Sequence, residues 1–379
     1  MDPVAVTHQA SRQLLQLARR DKAAAEEALA KLPLEAQLAL VCEAPLADRA
    51  LLLGMVAEPE KLVPALPPAE LCFTVKAIGL ADAGWLLEHA TPDQTVAAVD
   101  LDAWNGTELD VASVDGWLGA IARIPTAVAL RNLESLDAEV LHLTLAHRIG
   151  VVQKPDDAEG WSPPEGAQTL EGAFHYWARH DDDDLADVTT LLRTLFEGAY
   201  WSYFRLMQSL LWELKSDTEE WALRWRTGRL EDLGFPSWDD AMRIYRFLPP
   251  AQRNDLPPIA EPFDVEAWRL PVWLPQLPRV GGVGDRLFEA LASLEDDERR
   301  GAFFAFVALA NRVAVADRLS LGDAESTPQA IAKAARFAAE GLAHLANEHG
   351  LSDGEVLRRV TLERLFRVGA NLDPEVARP

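Results

Sequence analysis

Leu32-Pro33 recurs as Leu66-Pro67, and the same offset of 34 residues lays Val41 on Val75, Leu46-Ala47-Asp48 on Leu80-Ala81-Asp82, and Leu52-Leu53 on Leu86-Leu87. A chain that repeats at this period builds one supersecondary unit per period, and each unit must bury its apolar face against the next. Within the repeat, apolar residues recur at helical spacing over Leu34 to Glu43 and Ala47 to Ala57, and again over Pro68 to Ile78 and Ala81 to Ala90. Each unit therefore reads as a helix pair joined by a turn. A third unit opens at Thr91-Pro92-Asp93, an N-cap residue followed by proline at the first helical position, and runs through Trp104 to Ile121. A fourth covers Pro125 to Ile149. The Trp, Leu-Gly and Tyr signature of tetratricopeptide repeats is missing, so the expected architecture is a short helical-repeat superhelix, a HEAT-like α-solenoid.

The pattern changes after residue 152. Gln153 to Gly166 carries Pro155, Gly160, Pro163 and Pro164 among acids and reads as a boundary. Leu185 to Leu214 then places Leu192, Leu195, Phe196, Tyr203, Met207 and Leu210 at helical spacing, which predicts one long buried helix. Ser216 with Glu219 has the form of a capping box for a helix bearing Trp221 and Trp225, which Gly228 is expected to close. Prolines crowd residues 249–278, too densely for a helix interior or a central strand. Trp268 and Trp273 in that stretch favour a connector packed along the helical domains. Beyond it, Arg300 to Leu321 reads as an apolar helix, Thr327-Pro328 opens another that Gly350 closes, and Ser352 with Glu355 forms a second capping box. No sustained period-2 run of β-branched residues occurs, so the class is all-α. The expected organisation is a helical-repeat domain over 1–152, an aromatic-rich helical domain over 167–248, a proline-rich connector over 249–278 and a C-terminal helical domain over 279–379 packing on the middle one.

Composition narrows the function classes. Sixty Asp and Glu stand against 36 Lys and Arg, a formal charge of -24 across 379 residues, which excludes a protein that grips nucleic acid by neutralising phosphates. Cys42 and Cys72 are the only cysteines, too few for a disulfide framework or a four-sulfur zinc site, and both read as core residues. The first twenty residues lack the uninterrupted apolar run of a secretory signal, and no window approaches the ~20 apolar residues that cross a bilayer. A cytoplasmic location without membrane insertion is expected, with the sequon at Asn105-Gly106-Thr107 idle.

Two resemblances emerge from these stretches. Residues 32–149, with their recurring Leu-Ala-Asp and paired leucines, resemble the cytosolic N-terminal domain of MgtE-type magnesium transporters, a helical-repeat superhelix. That resemblance implies a fold and not transport, because fold analogy does not carry function. The run Glu220 to Tyr245, whose core is Arg226-x-Gly228-Arg229-Leu230-Glu231-Asp232-x-Gly234-Phe235-Pro236, together with Ala310 to Asp317, is similar to a bacterial family known only as a domain of unknown function.

No motif commits the chain to a chemistry. His180 is followed by Asp181, Asp182, Asp183 and Asp184, oxygen-rich enough to suggest Mg²⁺, but the run lacks the spaced ligands of a calcium loop. It directly precedes a helix whose dipole favours acids there. The pairs His142 with His147, His175 with His180, and His344 with His349 are spaced i,i+5, which on a helix turns them about 140° apart, off the face that i,i+4 zinc ligands share. Gly281-Gly282-Val283-Gly284 precedes a helix without the Lys-Ser/Thr of a phosphate loop. Arg224, Arg226, Arg229 and Arg243 surround Trp221, Trp225 and Trp238, with Glu231 and Asp232 close in sequence. This segment is either an internal network of arginines, acids and rings or a binding site, and Trp221, Trp225, Arg226, Arg229 and Asp232 are its candidate residues. Asn311 and Asp317 interrupt an apolar helix and need hydrogen-bond partners if buried.

Three functions remain in view. The first is a non-catalytic scaffold that binds another protein through stacked helices and needs no cofactor. The second is a module responsive to Mg²⁺ or another divalent cation, in which cations screen acidic repulsion. The third is an enzyme with an all-α site where Arg226, Arg229, Asn311 and Asp317 converge.

Overall fold

The computed structural model describes residues 3–157, 159–180, 184–256 and 285–373, and is mostly helical. The chain divides into two compact units, Met1–Arg226 and Thr227–Pro379.

In the first unit the helices α1 (Pro3–Arg20), α2 (Lys22–Ala30), α3 (Leu34–Glu43), α4 (Leu46–Leu53), α5 (Pro59–Leu62), α6 (Pro68–Ile78), α7 (Gly84–Leu87) and α8 (Pro92–Asp102) lead to a small hairpin, β1 (Trp104–Asn105) with β2 (Glu108–Leu109). Then follow α9 (Val111–Ala122), α10 (Thr126–Ser135) and α11 (Ala138–Arg148), the antiparallel strands β3 (Ile149–Gln153) and β4 (Phe174–Ala178), and α12 (Ala186–Gly198), α13 (Tyr200–Trp212) and α14 (Lys215–Asp232). The division between units falls within α14.

Of the helix pairs expected from the repeat, the first helices, α3 and α6, match over their full lengths, whereas the second are shorter than expected: α4 stops at Leu53, and only Gly84–Leu87 of the stretch Ala81 to Ala90 is helical. Each helix is laid on a later one: α4 on α6, α6 on α8, α8 on α10 and α10 on α12, while α7, α9, α11 and α13 contact one another in succession. Buried polar side chains fasten consecutive pairs. Arg49 on α4 meets Glu70 on α6 at 2.5 Å and donates to the carbonyls of Cys42 (2.6 Å) and Ala44 (3.2 Å). A buried charge is tolerated only with such a full complement of partners. Thr91 and Gln94 form a reciprocal capping box at the start of α8, and the Gln94 amide also donates to the carbonyls of Val63 and Leu66. Cys42 and Cys72 are both buried, and burial pushes both thiols up, so neither is a thiolate near neutrality.

Three expectations need correction here. The strands β3 and β4 pair over five residues, and Gln153, expected to open a boundary segment, is the last residue of β3, paired with Phe174. Their sequences, IGVVQ and FHYWA, do not alternate: Ile149 and Gly150 on one strand, and Phe174, His175 and Tyr176 on the other, are all buried. Trp177 stands opposite Gly150, and a Cβ there would lie 2.5 Å from its ring, so the glycine gives the indole its place. The long helix expected over Leu185 to Leu214 is two helices, broken at Ala199, whose backbone (φ -146°, ψ 64°) is not helical. Gly198 brings the end of α12 against Leu130 of α10, where a Cβ would lie 2.4 Å from the Leu130 side chain. Finally, α14 starts at Lys215, so Ser216 lies inside it and forms no capping box, and the helix continues through Gly228.

In the second unit α14 ends at Gly234, at φ +81°, with Phe235 N–H donating to Leu230 O and Gly234 N–H to Glu231 O. This is a Schellman ending, and Pro236 behind it prevents further helix. Short turns follow, α15 (Trp238–Ala241), a 3₁₀ segment (Met242–Tyr245) and α16 (Pro250–Arg253), then α17 (Asp285–Ala292), α18 (Asp296–Ala316), α19 (Ser326–His349), α20 (Asp353–Leu357) and α21 (Leu362–Leu372). Gly350 closes α19 in the left-handed conformation, and Ser352 with Glu355 caps α20 reciprocally. The tightest packing joins α19 to α21. A Cβ on Gly341 would sit 2.0 Å from the carbonyl oxygen of Leu365, and one on Gly369 2.0 Å from that of Phe337. The helix backbones thus touch through two glycines, flanked by the edge-to-face rings of Phe337 and Phe366 at 5.2 Å. Tyr245 donates to Asp317 (2.8 Å), which also accepts from Lys333 (2.7 Å), tying the 3₁₀ segment to α18 and α19.

Gly369→Ala should therefore cost the second unit about 3 kcal/mol or more, at the upper end of overpacking, because the obstructing atom is backbone and cannot rotate away. Gly228→Ala, in open space within α14, should be neutral or gain up to about 1 kcal/mol. Urea unfolding followed by circular dichroism distinguishes them, and equal stabilities for the two variants would contradict the glycine contact.

Candidate functional site

Large aromatic side chains left in water are the most conspicuous surface chemistry of the first unit. Trp201 is 71% and Trp212 74% exposed, and both lie on α13. Eleven positions apart, they differ by only about 20° around a helix of 3.6 residues per turn, so they share a face. The opposite face, through Tyr203, Leu206 and Met207, is buried, which sets which way the tryptophans point. Trp201 is braced edge-on by Tyr200 (5.7 Å) and Phe204 (5.9 Å), and the cluster continues inward through Phe174, Phe196 and Tyr203. Rigid aromatic anchors of this kind lose little entropy when covered.

Of the residues singled out in the Trp-Arg segment, Trp221 and Trp225 stack at 5.9 Å on the exposed side of α14, both close to half exposed, with Arg224 over Trp221 at 5.1 Å. Arg226 turns the other way. It is buried, donates to the carbonyls of Asp100 (2.8 Å) and Gly106 (3.2 Å), and stacks on Trp104 at 4.9 Å. Its environment is that of an internal clamp. Arg229 is half-buried and Asp232 exposed, both within the second unit, so no buried carboxylate at Asp232 waits on Arg229. The reversal of the chain at Gly228 that was to bring Arg229 back to the tryptophans does not occur, because the helix runs on. Trp238 carries Arg318 over its ring at 5.1 Å, and Arg243 pairs with Asp240 at 3.0 Å.

The residues proposed for an all-α catalytic site are held in structural contacts. Asn311 donates to Gly234 O (3.1 Å), bracing the end of α14, and Asp317 is taken up by Tyr245 and Lys333. Burial, then the neighbouring Asp317, pushes the Tyr245 phenol up, so it remains a proton donor to that carboxylate. One arrangement resembles hydrolase chemistry at first sight. His142 Nδ1 lies 3.0 Å from Ser209 Oγ and 4.0 Å from Glu213 Oε2, beside a cavity of about 260 Å³ between α11 and α13. A nucleophilic triad needs serine and acid on opposite ring nitrogens, whereas here both face Nδ1. The serine hydroxyl donates to Leu206 O at 2.8 Å, so it accepts from His142 rather than yielding a proton to it. The contact joins two helices.

The histidine pairs likewise serve packing. His147 and His180 meet edge to face at 5.9 Å, and His344 and His349 both reach Asn254, at its side-chain oxygen (2.7 Å) and its carbonyl (2.6 Å). Asp184 accepts from Ala186 N–H at the start of α12 (2.9 Å), while Asp181, Asp182 and Asp183, like Gly281 to Gly284, Trp268 and Trp273, lie outside the described residues. Among the described residues no group of three or more His, Cys, Asp and Glu is arranged to hold a metal ion, and no helix is long and apolar enough to cross a membrane.

Two measurements check this assignment of roles. Arg226→Ala should destabilise the first unit by about 2 to 4 kcal/mol, since it strands two carbonyls and a ring, whereas Trp221→Ala should change stability by less than about 1 kcal/mol; comparable losses would refute the distinction. Burial holds the His142 imidazole below its ordinary value near 6.5, so the unfolded chain binds the proton more readily. The stability His142 permits is complete above that value and declines as pH falls below it. A denaturation series from pH 8 to 5 should show this slope in the parent and a shallower one in His142→Gln.

No curated protein and no solved structure matches the chain. A family model, described as a family of unknown function, matches residues 26–378. The chain belongs to the family of unknown function DUF6178.

Proposed function

We propose that this protein is a non-catalytic interaction or scaffold protein whose first unit binds another protein through exposed aromatic residues. The observation that carries the reading is the pair Trp201 and Trp212, each more than two-thirds exposed on one face of a helix whose other face is core. Large aromatic side chains left exposed on one helix face are costly to keep in water and are the residue type that dominates binding at interfaces. Trp221 and Trp225, stacked and half exposed, add to it on α14.

The succession of helices, each laid on a later one from α4 to α13, supports reading the first unit as a HEAT-like helical-repeat superhelix, as does the resemblance of residues 32–149 to the MgtE N-terminal domain. Such superhelices offer extended surfaces to partners. The charge of -24 disfavours nucleic acid as the partner, and two buried cysteines held as thiols suit a cytoplasmic setting.

The test compares capture from native lysate by the parent and by Trp201→Ala/Trp212→Ala. The parent should retain a stoichiometric protein that the variant loses, while the melting temperature of the variant moves by less than about 2 °C because those side chains bury little. Equal capture by both proteins, or none by the parent, overturns the reading.

A further inference from the structure

The second unit contains a cleft of about 1050 Å³ that nothing above employs. One wall is α18, which presents Gly301, Ala302, Ala305, Ala308, Leu309 and Arg312 along about three turns, roughly 16 Å of helix. The facing wall is the α20 to α21 connection through Leu357, Val360 and Leu362, and Phe235 closes one end from the Schellman turn behind α14. The floor is apolar. The four small residues on α18 leave its backbone close to the cleft, which suits the close approach of another helix, since interaxial distance follows the size of the side chains at the contact.

The rim has the opposite character. Six carboxylates line it, Glu231, Asp240, Asp297, Glu298, Glu355 and Glu363, against the guanidinium groups of Arg312, Arg358 and Arg359. The arginines are engaged with part of this set: Arg358 binds both oxygens of Glu298 at 3.0 and 3.2 Å, and Arg312 lies 3.6 Å from Glu363. The Arg358 pairing holds the Glu298 carboxyl below its usual range. Glu231 and Asp297 are exposed and have no ion-pair partner among the described residues. The cleft therefore combines an apolar trough, helical in length, with an uncompensated negative border.

We propose that this cleft is the docking groove for a cationic amphipathic helix of a partner protein. The apolar stripe of that helix fills the trough over Ala302, Ala305 and Leu309, and its Lys or Arg residues reach Glu231 and Asp297 at the rim. An anionic helix meets repulsion at the same border. The groove is a second surface and its occupation does not depend on the tryptophans of the first unit.

The test uses the full chain and a fluorescein-labelled helix of about 14 residues, with leucines on one face and lysines on the other, followed by anisotropy. A scrambled peptide of the same composition, and a glutamate-for-lysine version, are the controls. The cationic amphipathic peptide should bind saturably, and the controls at least about tenfold more weakly. Ala305→Trp, which fills the trough at constant charge, should weaken binding about tenfold or more. Glu231→Gln/Asp297→Asn, on exposed side chains that folding does not need, should weaken it about threefold, while Glu26→Gln/Glu27→Gln, the same charge change in the first unit, should leave it within about twofold. If Ala305→Trp fails to fold, the comparison of the two charge pairs decides. Absence of saturable binding, equal binding of the scrambled peptide, or equal effects of the two charge pairs overturns the proposal. So does self-association of the parent in sedimentation that Ala305→Trp abolishes, which would make a second copy of the chain the occupant.

Discussion

The second unit depends on a contact that contains no side chain at all. Gly341 and Gly369 let α19 and α21 meet backbone to backbone, with no room for even a methyl group on either helix. That sets the spacing of the pair, and the rest of the unit is placed against it. Phe337 and Phe366 pack beside the crossing, α18 lies on α19, and Asn371 near the end of α21 accepts from the Leu248 N–H and so holds the chain after the 3₁₀ segment. The cleft along α18 inherits its shape from this arrangement, because its far wall is the chain entering α21. Dispersion gains from such close packing are large only while it stays free of voids and clashes, so the geometry tolerates little change.

The first unit is held differently. Its helices are joined by polar side chains that reach across to backbone carbonyls: Arg49 to the end of α3, Gln94 to the segment between α5 and α6, and Arg226 to the end of α8 and the β1–β2 turn. A long planar donor with several N–H groups satisfies carbonyls at helix ends that no helical bond can reach. Each such contact also fixes register, because a shift of one turn leaves a buried cation or carbonyl without its partner. Arginine is thus drawn inward in a chain already short of cations.

The exposed tryptophans stand out against this background. Trp104 and Trp117 are buried and engaged, one beneath Arg226 and the other donating to Asp102 at 2.9 Å. Trp201 and Trp212 have the same apolar area and leave most of it in water. The hydrophobic term that buries the first pair is left largely unused by the second.

Signals confined to a few consecutive residues were readable directly: the apolar spacing of α3 and α6, the capping box at Thr91, the glycine stop at Gly350 and the box at Ser352. They are local because a helix end satisfies its own orphan groups within one turn. Local signals likewise placed the stop of α14 at Gly228, whereas the closing hydrogen bonds run from Gly234 N–H to Glu231 O and from Phe235 N–H to Leu230 O. They also ran α12 into α13, because the approach of Leu130 to Gly198 belongs to another helix. The hairpin of β3 and β4 escaped because strands buried on both faces do not alternate. Whether Arg226 faces Asp100 and Gly106 or a ligand depends on contacts over a hundred residues distant, and the cleft is assembled from segments between Glu231 and Glu363. The sequence by itself determined helical class, the 34-residue recurrence, the charge and the caps at Thr91, Gly350 and Ser352, all of which follow from the chain's own residues and near neighbours. Which arginine is buried, which tryptophan stays in water and where two glycines meet were decided only in the tertiary structure, because each is a contest among groups that only folding brings together.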